Sequence, residues 1–372
     1  MIHDVAIVGG GICGLSIGWK LAKRGLRVLI LEKGEAGHGA TWAALGILFP
    51  RVGDDPRGPA FTKLCVESHR LWPTFAKEVE SESGIEIDYG REGTLLPAFE
   101  AREEDQLRRQ YALLRKSRVG AKWVSGKELR SLEPNMSYGV KSALFNPLVH
   151  RVDNRKLALA LKKAFLVVGD FREKTSVAKI VIQGGRVIGV SAGGSTIRAH
   201  KVIIAAGAWS AGIPGLEERI RPPVRPVKGQ VISVKVPEGR RLLSHVIHYA
   251  DTFLVQRRDG RLLIGATVEE ERGFDTKVTA GAISKLLTVA LAVIPDIDTL
   301  PLGEAWAGTR PGSPDGAPIL GGTNVEGLVM ATGHFRNGIL LAPITADLVS
   351  EYVISDKLPA LAQPFTMNRF SN

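Results

Sequence analysis

Two glycine-bounded segments near the C-terminal end carry the residues best suited to chemistry on a small anionic molecule. Arg310 lies in Trp306–Gly312 (WAGTRPG), where the flanking glycine and proline residues predict a rigid turn. Its planar guanidinium suits bidentate capture of a carboxylate, and an arginine that only pairs with a neighbouring loop is the structural alternative. Gly333–Leu340 (GHFRNGIL) opens a predicted helix, so the helix dipole and Arg336 can stabilise negative charge on a ligand. His334 is a candidate base, although a lone histidine in a turn is more often structural.

A glycine motif near the N-terminus has the spacing of a dinucleotide-binding turn. Gly9, Gly11 and Gly14 form GxGxxG after the β-branched run Ile2–Val8, and Glu32 ends the next apolar run. The first glycine permits a tight turn, the second lets the backbone approach a pyrophosphate, and the third lets helix and strand pack closely. Glu32 can accept hydrogen bonds from a ribose diol. The motif does not separate NAD from FAD, and an ordinary glycine-rich βαβ turn is the alternative.

Two segments of small residues can let the backbone approach a large, flat ligand. The first is Gly39–Ile47 (GATWAALGI), and the second is Ala205–Trp209 (AAGAW), which ends an apolar run. In an open α/β sheet the end of such a strand faces the ligand crevice. Each segment also has a purely structural interpretation, the first as a helix start packed on a sheet and the second as a strand that ends in a glycine turn.

The composition is that of a globular protein of two or three domains. The chain has 372 residues, of which 44% are hydrophobic and 23% charged, so disordered and fibrous classes are excluded. Cys13 and Cys65 are the two cysteines; they cannot form a disulfide framework and they lack metal-site spacing. We therefore expect no metal site and a reducing cytoplasm as the location.

The charge balance leaves several classes of partner open. There are 49 basic and 38 acidic residues, a net charge of +11, which suits nucleic acid, an anionic membrane or an acidic substrate. The basic residues form scattered pairs without a long run, so we expect a solvated basic surface and no nucleic-acid partner. The apolar segment Val5–Trp19 lacks a basic leader and is rich in glycine, which indicates a turn rather than a signal sequence. No apolar stretch approaches the ~20 residues of a membrane span, so we expect a soluble chain.

The elements that must position these residues predict an α/β fold. Ile2–Val8, Ile12–Arg24 and Leu26–Leu31 have the pattern of strand, helix and strand, which is one βαβ unit. The middle of the chain is rich in strands, including an antiparallel meander over 177–199 and a separate buried strand at Lys201–Ala206. Antiparallel strands in the middle and α/β segments at both ends predict two domains that the chain crosses more than once.

Three further helices have recognisable ends. An apolar face begins at Thr62 and reaches Pro73, where the helix is expected to stop. Asp153 has the position of an N-cap for a helix that ends at Gly169. The last helix is predicted over Ile339–Ile354, directly after the polar loop that contains Arg336.

Taken together and in this order, the five motifs resemble the FAD-dependent D-amino acid oxidase family, and within it the glycine oxidases of thiamine biosynthesis. The most specific stretches are GHFRNGILLAP (Gly333–Pro343), WAGTRPGSPDG (Trp306–Gly316) and RRDGRLLIGATVE (Arg257–Glu269). The resemblance extends over nearly the whole chain. It implies a discontinuous Rossmann-like FAD-binding domain and a substrate domain built on an antiparallel β-sheet with helices.

The resemblance also implies domain bounds and cofactor contacts. The FAD-binding domain is expected at 1–84, 146–222 and 304–372, and the substrate domain at 85–145 and 223–303. Together with the glycine motif and the strand end at Ala205, it leads us to expect the following residues at FAD: Gly9, Gly11, Ile12, Cys13, Gly14, Glu32, Lys33, Ala40, Thr41, Leu45, Gly46, Ile47, Val177, Ala206, Gly207, Trp209, His334, Phe335, Arg336, Asn337, Gly338, Ile339 and Leu340.

The activity implied by the resemblance is oxidative deamination of glycine and of small D-amino or N-methyl amino acids. Hydride transfer to flavin N5 gives an imine, then the 2-oxo acid, ammonia and hydrogen peroxide, and the imine would feed thiamine thiazole synthesis. Arg310 would hold the substrate carboxylate, and Arg336 would lie at the substrate side of the flavin; both are expected as catalytic and substrate-binding residues. Phe253 is expected as a third substrate-binding residue; it stands where close relatives place a tyrosine whose hydroxyl helps to hold the substrate carboxylate, which puts glycine as the best substrate in question.

Other functions stay open at this point. A D-amino acid oxidase with a different preferred amine, or a dehydrogenase that passes electrons to a quinone or a protein, would use the same fold. A basic nucleic-acid-binding protein with a vestigial Rossmann unit is the non-enzymatic alternative, but it gives no purpose to the two C-terminal motifs. For the oxidase we expect a small amino acid and oxygen as partners, and a homo-oligomer.

Overall fold

The computed structural model describes residues 2–53 and 55–370. The strands are β1 His3–Val8, β2 Val28–Leu31, β3 Ile47–Leu48, β4 Thr94–Ala98, β5 Lys122–Ser125, β6 Ser142–Asn146, β7 His150–Arg151, β8 Asp170–Arg172, β9 Val177–Gln183, β10 Arg186–Ala192, β11 Ser195–Ile204, β12 Arg225–Lys235, β13 Val246–Tyr249, β14 Thr252–Gln256, β15 Arg261–Gly265, β16 Leu302–Gly312, β17 Ile319–Gly322 and β18 Leu328–Thr332. The helices are α1 Ile12–Lys23, α2 Ala40–Ala43, α3 Pro59–Ser83, α4 Ala101–Lys116, α5 Gly126–Leu132, α6 Asn154–Leu166, α7 Ala280–Val293 and α8 Gly338–Ser355.

The first sheet contains the predicted N-terminal βαβ unit. Its strand order is β17-β18-β11-β1-β2-β8, and β1 pairs in parallel with both β2 and β11. Every residue of β2 is buried, as expected for a parallel strand covered on both faces. Helices α1, α3, α6 and α8 pack on one face, where their apolar side chains form the largest core cluster. The predicted α/β class and the βαβ unit are confirmed.

Strand β11 joins the predicted meander to the parallel sheet. Its first half pairs antiparallel with β10, which in turn pairs with β9. Its second half pairs in parallel with β1 and β18. The prediction of separate strands before and after His200 is therefore wrong, because one continuous strand changes partners there instead of turning.

The second sheet has the order β16-β12-β15-β14-β13-β4-β6-β5, with α7 packed against it. β16 is an edge strand of this sheet, and position 304, where a domain boundary is predicted, lies within it. The rigid turn predicted around Arg310 is wrong. Trp306–Gly312 is extended, and proline is tolerated in an edge strand, where Pro311 still accepts through its carbonyl from the N–H of Phe335 at 2.9 Å.

Two helices continue through a proline. Helix α3 does not stop at Pro73, because buried side chains follow on the same face, among them Phe75 and Val79. The Trp72 indole also donates to the carbonyl of Leu340 at 2.9 Å, which ties this half of the helix to α8. Tertiary packing outweighs the local cost of the proline.

Helix α8 is long and apolar enough to cross a membrane by length and composition, but 67% of that window is buried inside the protein, as in a core helix.

The predicted N-cap of α6 gives a test of local stability. Asp153 is buried and accepts hydrogen bonds from the backbone N–H groups of Arg155 and Lys156, and it also pairs with Arg261 at 2.7 Å. We expect Asp153→Ala to lower the free energy of unfolding by about 1–2 kcal/mol through the cap alone. Equilibrium urea unfolding followed by tryptophan fluorescence measures this change. The control is Ser125→Ala, since Ser125 occupies the N-cap of α5 without a side-chain cap bond; an equal loss in both variants would contradict the cap's role.

Candidate active site

A cavity of about 750 Å³ lies where the first sheet meets the second. The carboxyl ends of four strands of the first sheet border it, at Val8, Leu31, Ala205 and Thr332. This is the edge at which open α/β sheets bind ligands. The predicted site residues that line it are Gly9, Gly11, Ile12, Cys13, Glu32, Lys33, Ala40, Thr41, Leu45, Gly46, Ile47, Val177, Ala206, Gly207, Trp209, Phe253, Arg310, His334, Phe335, Arg336, Gly338 and Ile339.

The glycine motif brings three backbone segments together at one end of the cavity. Gly9 has φ +113°, and a Cβ there would lie 2.4 Å from the carbonyl oxygen of Ala205. A Cβ on Gly14 would lie 1.9 Å from the carbonyl oxygen of Gly9, so Gly14 packs α1 on β1 and does not line the cavity. A Cβ on Gly11 would meet Thr41 Oγ1 alone, at an ordinary contact distance of 3.6 Å. The spacing thus leaves an open surface beside Gly11 for a ligand.

The start of α1 suits an anion. No acidic residue occupies its first turn, so the positive end of the helix dipole is not neutralised there. Thr41 Oγ1 accepts from the N–H of Ile12 at 3.0 Å, and the Thr41 carbonyl accepts from Asn154 Nδ2 at 2.7 Å. These bonds hold the small-residue segment Gly39–Ile47 against the start of α1. A dinucleotide pyrophosphate must approach the backbone closely at a helix N-terminus, which a glycine such as Gly11 permits because it has no Cβ. The residues present therefore fit such a group.

Glu32 is held in position by two backbone amides. Its Oε2 accepts from the N–H of Gly10 at 2.7 Å, and its Oε1 accepts from the N–H of Gly34 at 2.8 Å. Beside it, the Lys33 ammonium lies 3.4 Å from the ring centroid of Trp209. Burial lowers the pKa of Lys33, partly offset by Glu32. This end of the cavity therefore presents a fixed carboxylate and an aromatic face.

Arg310 reaches the other end of the cavity as a half-buried cation. Its Nη1 donates to the carbonyl of Lys228 at 3.2 Å, and no carboxylate in the described part of the chain pairs with it. Burial lowers the pKa of Arg310 to about 10, and the charge of Arg336 acts in the same direction, so the guanidinium still carries its proton at neutral pH. A Cβ on Gly229 would lie 2.3 Å from Nη1, so the guanidinium rests against that glycine.

An aromatic wall stands beside this cation. Phe253 lines the cavity, stacks on His248 with 4.0 Å between ring centroids, and meets Phe49 edge to face at 6.4 Å. Burial lowers the pKa of His248 to about 4, with Asp251 opposing this change and Arg336 adding to it. His248 is therefore neutral at pH 7. The wall offers apolar surface and no hydroxyl at the position of Phe253.

The loop before α8 contributes to the cavity only in part. His334 lines it, but its Nε2 lies 3.0 Å from Thr345 Oγ1 and burial lowers its pKa to about 4, so the ring has a structural partner and is neutral. Two predicted contacts do not line the cavity. Asn337 instead accepts from Arg57 Nη1 at 2.8 Å at the start of α8, and Leu340 lies in the core, where its carbonyl accepts from Ser68 and Trp72.

Some residues of the site were missed by the sequence analysis. The segment 266–279, here called the strap, leaves the second sheet after β15, and its Phe274 lines the cavity and stacks on Trp209 at 5.1 Å. The buried Lys228 ammonium ties the strap down by pairing with Asp275 at 2.8 Å. Gly229 was also missed, although a glycine inside an apolar strand pattern is a signal of close approach.

Comparison with known proteins identifies the chain's family. A family profile described as "FAD dependent oxidoreductase" matches residues 4–352. The chain belongs to this family. Its cofactor is accordingly FAD, which decides between the two dinucleotides that the glycine motif left open. The match covers most of both sheets, so the predicted family and cofactor are confirmed.

Individual relatives agree with this assignment. A glycine oxidase of Geobacillus kaustophilus is 36% identical over 371 residues, covering 99% of this chain and 97% of the relative. The crystal structure of glycine oxidase from Geobacillus kaustophilus has a TM-score of 0.89 at 33% identity and covers 100% of this chain and 99% of that one. The bifunctional protein ThiO/ThiG of Trichormus variabilis is 34% identical over 373 residues, and the chain spans 55% of that relative's length.

The neutral histidine in the aromatic wall makes the stability of this flavoprotein depend on pH. The pKa of His248 is lowered from 6.5 to about 4 in the folded chain, so between these values the unfolded state binds a proton that the folded state does not. Its contribution to stability is complete above pH 6.5 and is lost as the pH falls towards 4.

We expect His248→Phe to reduce the slope of the unfolding free energy against pH in that range. The reduction should reach at most the slope that corresponds to one bound proton. Phenylalanine can keep the stack on Phe253, and His248 Nδ1 has no hydrogen-bond partner to lose. Urea unfolding at a series of pH values measures the slope. An unchanged slope would show that His248 is not the titrating group.

Proposed function

We propose that the chain is an FAD-dependent amino-acid oxidase of the glycine oxidase class. The reaction takes glycine, oxygen and water to glyoxylate, ammonia and hydrogen peroxide, with small D-amino and N-methyl amino acids as further substrates. The observation that carries the proposal is the half-buried Arg310 guanidinium, which faces the cavity without a carboxylate partner among the described residues. A substrate carboxylate supplies that partner. Relatives named glycine oxidase, matched over nearly their full length, support the same substrate class.

The proposed cofactor contacts follow the chemistry of the lining residues. FAD, when bound, supplies the redox chemistry by accepting a hydride equivalent from the substrate and passing the electrons to oxygen. Gly11 and the first amides of α1 are assigned to the pyrophosphate, and the fixed carboxylate of Glu32 is assigned to a ribose diol. The residues of segments 40–47 and 334–339 that line the cavity, which are all of them except Trp42 and Asn337, are assigned to the flavin ring.

In the part of the chain that the structure describes, no carboxylate lines the cavity at the Arg310 end. Among the described residues that line the cavity, the carboxylates are Glu32 and Glu35, both from the N-terminal unit. His334 is neutral and bonded to Thr345, so its role is to shape the loop. The substrate amine must therefore arrive already neutral, and activity should rise with pH through the titration of the amine. Arg310 and Arg336 orient the carboxylate and supply positive charge.

The wider role is proposed on the same basis. The relatives named ThiO/ThiG suggest that the imine serves thiamine biosynthesis, and the chain spans about half their length. A D-amino acid oxidase or dehydrogenase with a bulkier amine is the second candidate, favoured by the apolar wall of Phe253 and Phe49. Oxygen as acceptor, the cytoplasm, the homo-oligomer and the division into an FAD-binding and a substrate domain stay predictions.

Anaerobic reduction tests the proposal directly. Mixing the purified yellow protein with glycine, sarcosine, D-alanine or D-proline should bleach the ~450 nm flavin band, and air should restore it with formation of peroxide. Arg310→Lys should raise the substrate concentration needed for half-maximal bleaching about 10- to 100-fold, because an ammonium cannot make the bidentate contact. Gly229→Ala should act in the same direction by displacing the guanidinium. A wild-type flavin that none of these amines bleaches would contradict the substrate class, and an unchanged Arg310→Lys variant would contradict the carboxylate contact.

The phenylalanine in the aromatic wall provides a gain-of-function test. Phe253→Tyr places a hydroxyl beside the proposed carboxylate position, and one added charge-assisted hydrogen bond is worth about 1.5–3 kcal/mol. We expect KM for glycine to fall at least about tenfold while kcat changes little, since the bond forms with bound substrate as well as in the transition state. Steady-state oxygen consumption measures both constants. A control, Phe274→Tyr, changes the same side chain in the strap; an equal effect there would argue against a specific contact at position 253.

A further inference from the structure

A second cavity of about 760 Å³ lies in the substrate side of the molecule. Its walls are the turn between β14 and β15, at 256–261, and the segment 235–246 that follows β12. We call the first cavity, between the two sheets, the cofactor cavity. Among the described residues, none lines both cavities. We call the second cavity the basic cleft, for the residues described next. A ligand bound here need not displace FAD or the amine.

The lining of the basic cleft is dominated by cations. Within the described part of the chain, seven lining residues are arginine or lysine, against three carboxylates, Glu92, Glu238 and Asp259. Some of the cations are neutralised by neighbours. Arg151 pairs with Asp88 and Glu92, each at 2.8 Å, and Arg261 pairs with Asp153 and Asp259, each at 2.7 Å.

Three of the lining cations make no such pair. Lys235, Arg241 and Arg257 have no carboxylate at ion-pairing distance in the part of the chain that the structure describes. Arg241 instead donates to carbonyls of the cleft wall, from Nε to Leu243 at 3.3 Å and from Nη2 to Ser244 at 2.9 Å. These two bonds hold its guanidinium at the wall while its charge stays uncompensated.

Arg257 places a third cation without an ion-pair partner among the described residues at the base of the cleft. Its side chain is buried, its Nη2 donates to the carbonyl of Leu45, and its Nε and Nη1 have no hydrogen-bond partner. Burial lowers the pKa of Arg257 to about 10, so it remains a cation at neutral pH. The charges of Asp153 and Asp88 oppose this lowering, so the fold supplies part of the negative charge that a buried guanidinium needs. An anion in the cleft would add to it.

We propose that the basic cleft binds the phosphate or diphosphate group of a small metabolite, with Lys235 and Arg241 as its direct contacts. Guanidinium forks match phosphate oxygens in pairs, and an ammonium adds a point charge without geometric demand. The volume lies in the range of pockets that take small molecules. Arg257 adds positive charge at the base of the cleft. Its hydrogen bond to the Leu45 carbonyl connects the cleft to a segment that lines the cofactor cavity.

Calorimetric titration of the FAD-saturated holoenzyme with inorganic pyrophosphate tests the proposal. We expect saturable binding that weakens as salt rises, because the contacts are charged. In the double variant Lys235→Gln and Arg241→Gln, Kd should rise about tenfold or more. The control is Arg186→Gln with Arg219→Gln, which removes the same charge from two exposed arginines outside the cleft and should leave Kd within about twofold.

Three results would overturn the proposal. Pyrophosphate could fail to bind the holoenzyme, or it could bind the cleft double variant as tightly as the wild type. A duplex oligonucleotide could bind where pyrophosphate does not, which would make the site a nucleic-acid surface instead. The flavin spectrum of each variant verifies that it is folded and loaded, since neither Lys235 nor Arg241 lines the cofactor cavity.

Discussion

The pairing of β16 with β12 holds the two ends of the cavity in register. β16 carries Arg310 and β12 carries Gly229, so the ladder between them decides where the guanidinium can rest. The same edge strand touches the N-terminal unit, because the Trp306 indole donates to the carbonyl of Ala43 at 3.2 Å and a Cβ on Gly308 would lie 2.3 Å from the Ala43 side chain. One strand thus links Arg310 to the small-residue segment Gly39–Ile47.

The local signals in the sequence were reliable where a short stretch determines its own structure. The glycine motif, the βαβ unit and the Asp153 cap depend on neighbours within a few turns, and all three are found as predicted. Pro73 and Trp306–Gly312 show the limit of such signals. A proline or glycine indicates only which local conformation is unfavourable. The core packing of α3 and the edge position of β16 depend on the assembled fold, and both outweigh the local signal.

The parts of the site that could not be predicted all depend on long-range contacts. Lys228 and Arg310 are 82 positions apart in the sequence. Neither segment alone predicts that the Lys228 carbonyl accepts a hydrogen bond from the Arg310 guanidinium. The strap is similar, since Phe274 lies in a polar stretch and gains its place from Trp209, a residue of the first sheet's side. The family resemblance could supply Arg310 and Arg336 as site residues, but the glycine beneath Arg310 is visible only in three dimensions.

Arg310 and Arg257 are two arginines without an ion-pair partner among the described residues, and they lie in different surroundings. Both have a pKa lowered to about 10 by burial, and carboxylates at a distance offset this only in part: Glu269 and Glu270 for Arg310, Asp153 and Asp88 for Arg257. Arg310 opens onto the cofactor cavity and can recover the cost of its desolvation when an anionic substrate arrives. Arg257 is enclosed, and its Nη2 is committed to the Leu45 carbonyl, so it acts through the backbone segment that lines the cavity. In the proposed function, selectivity for carboxylates rests less on the net charge of the chain than on which cations have no ion-pair partner.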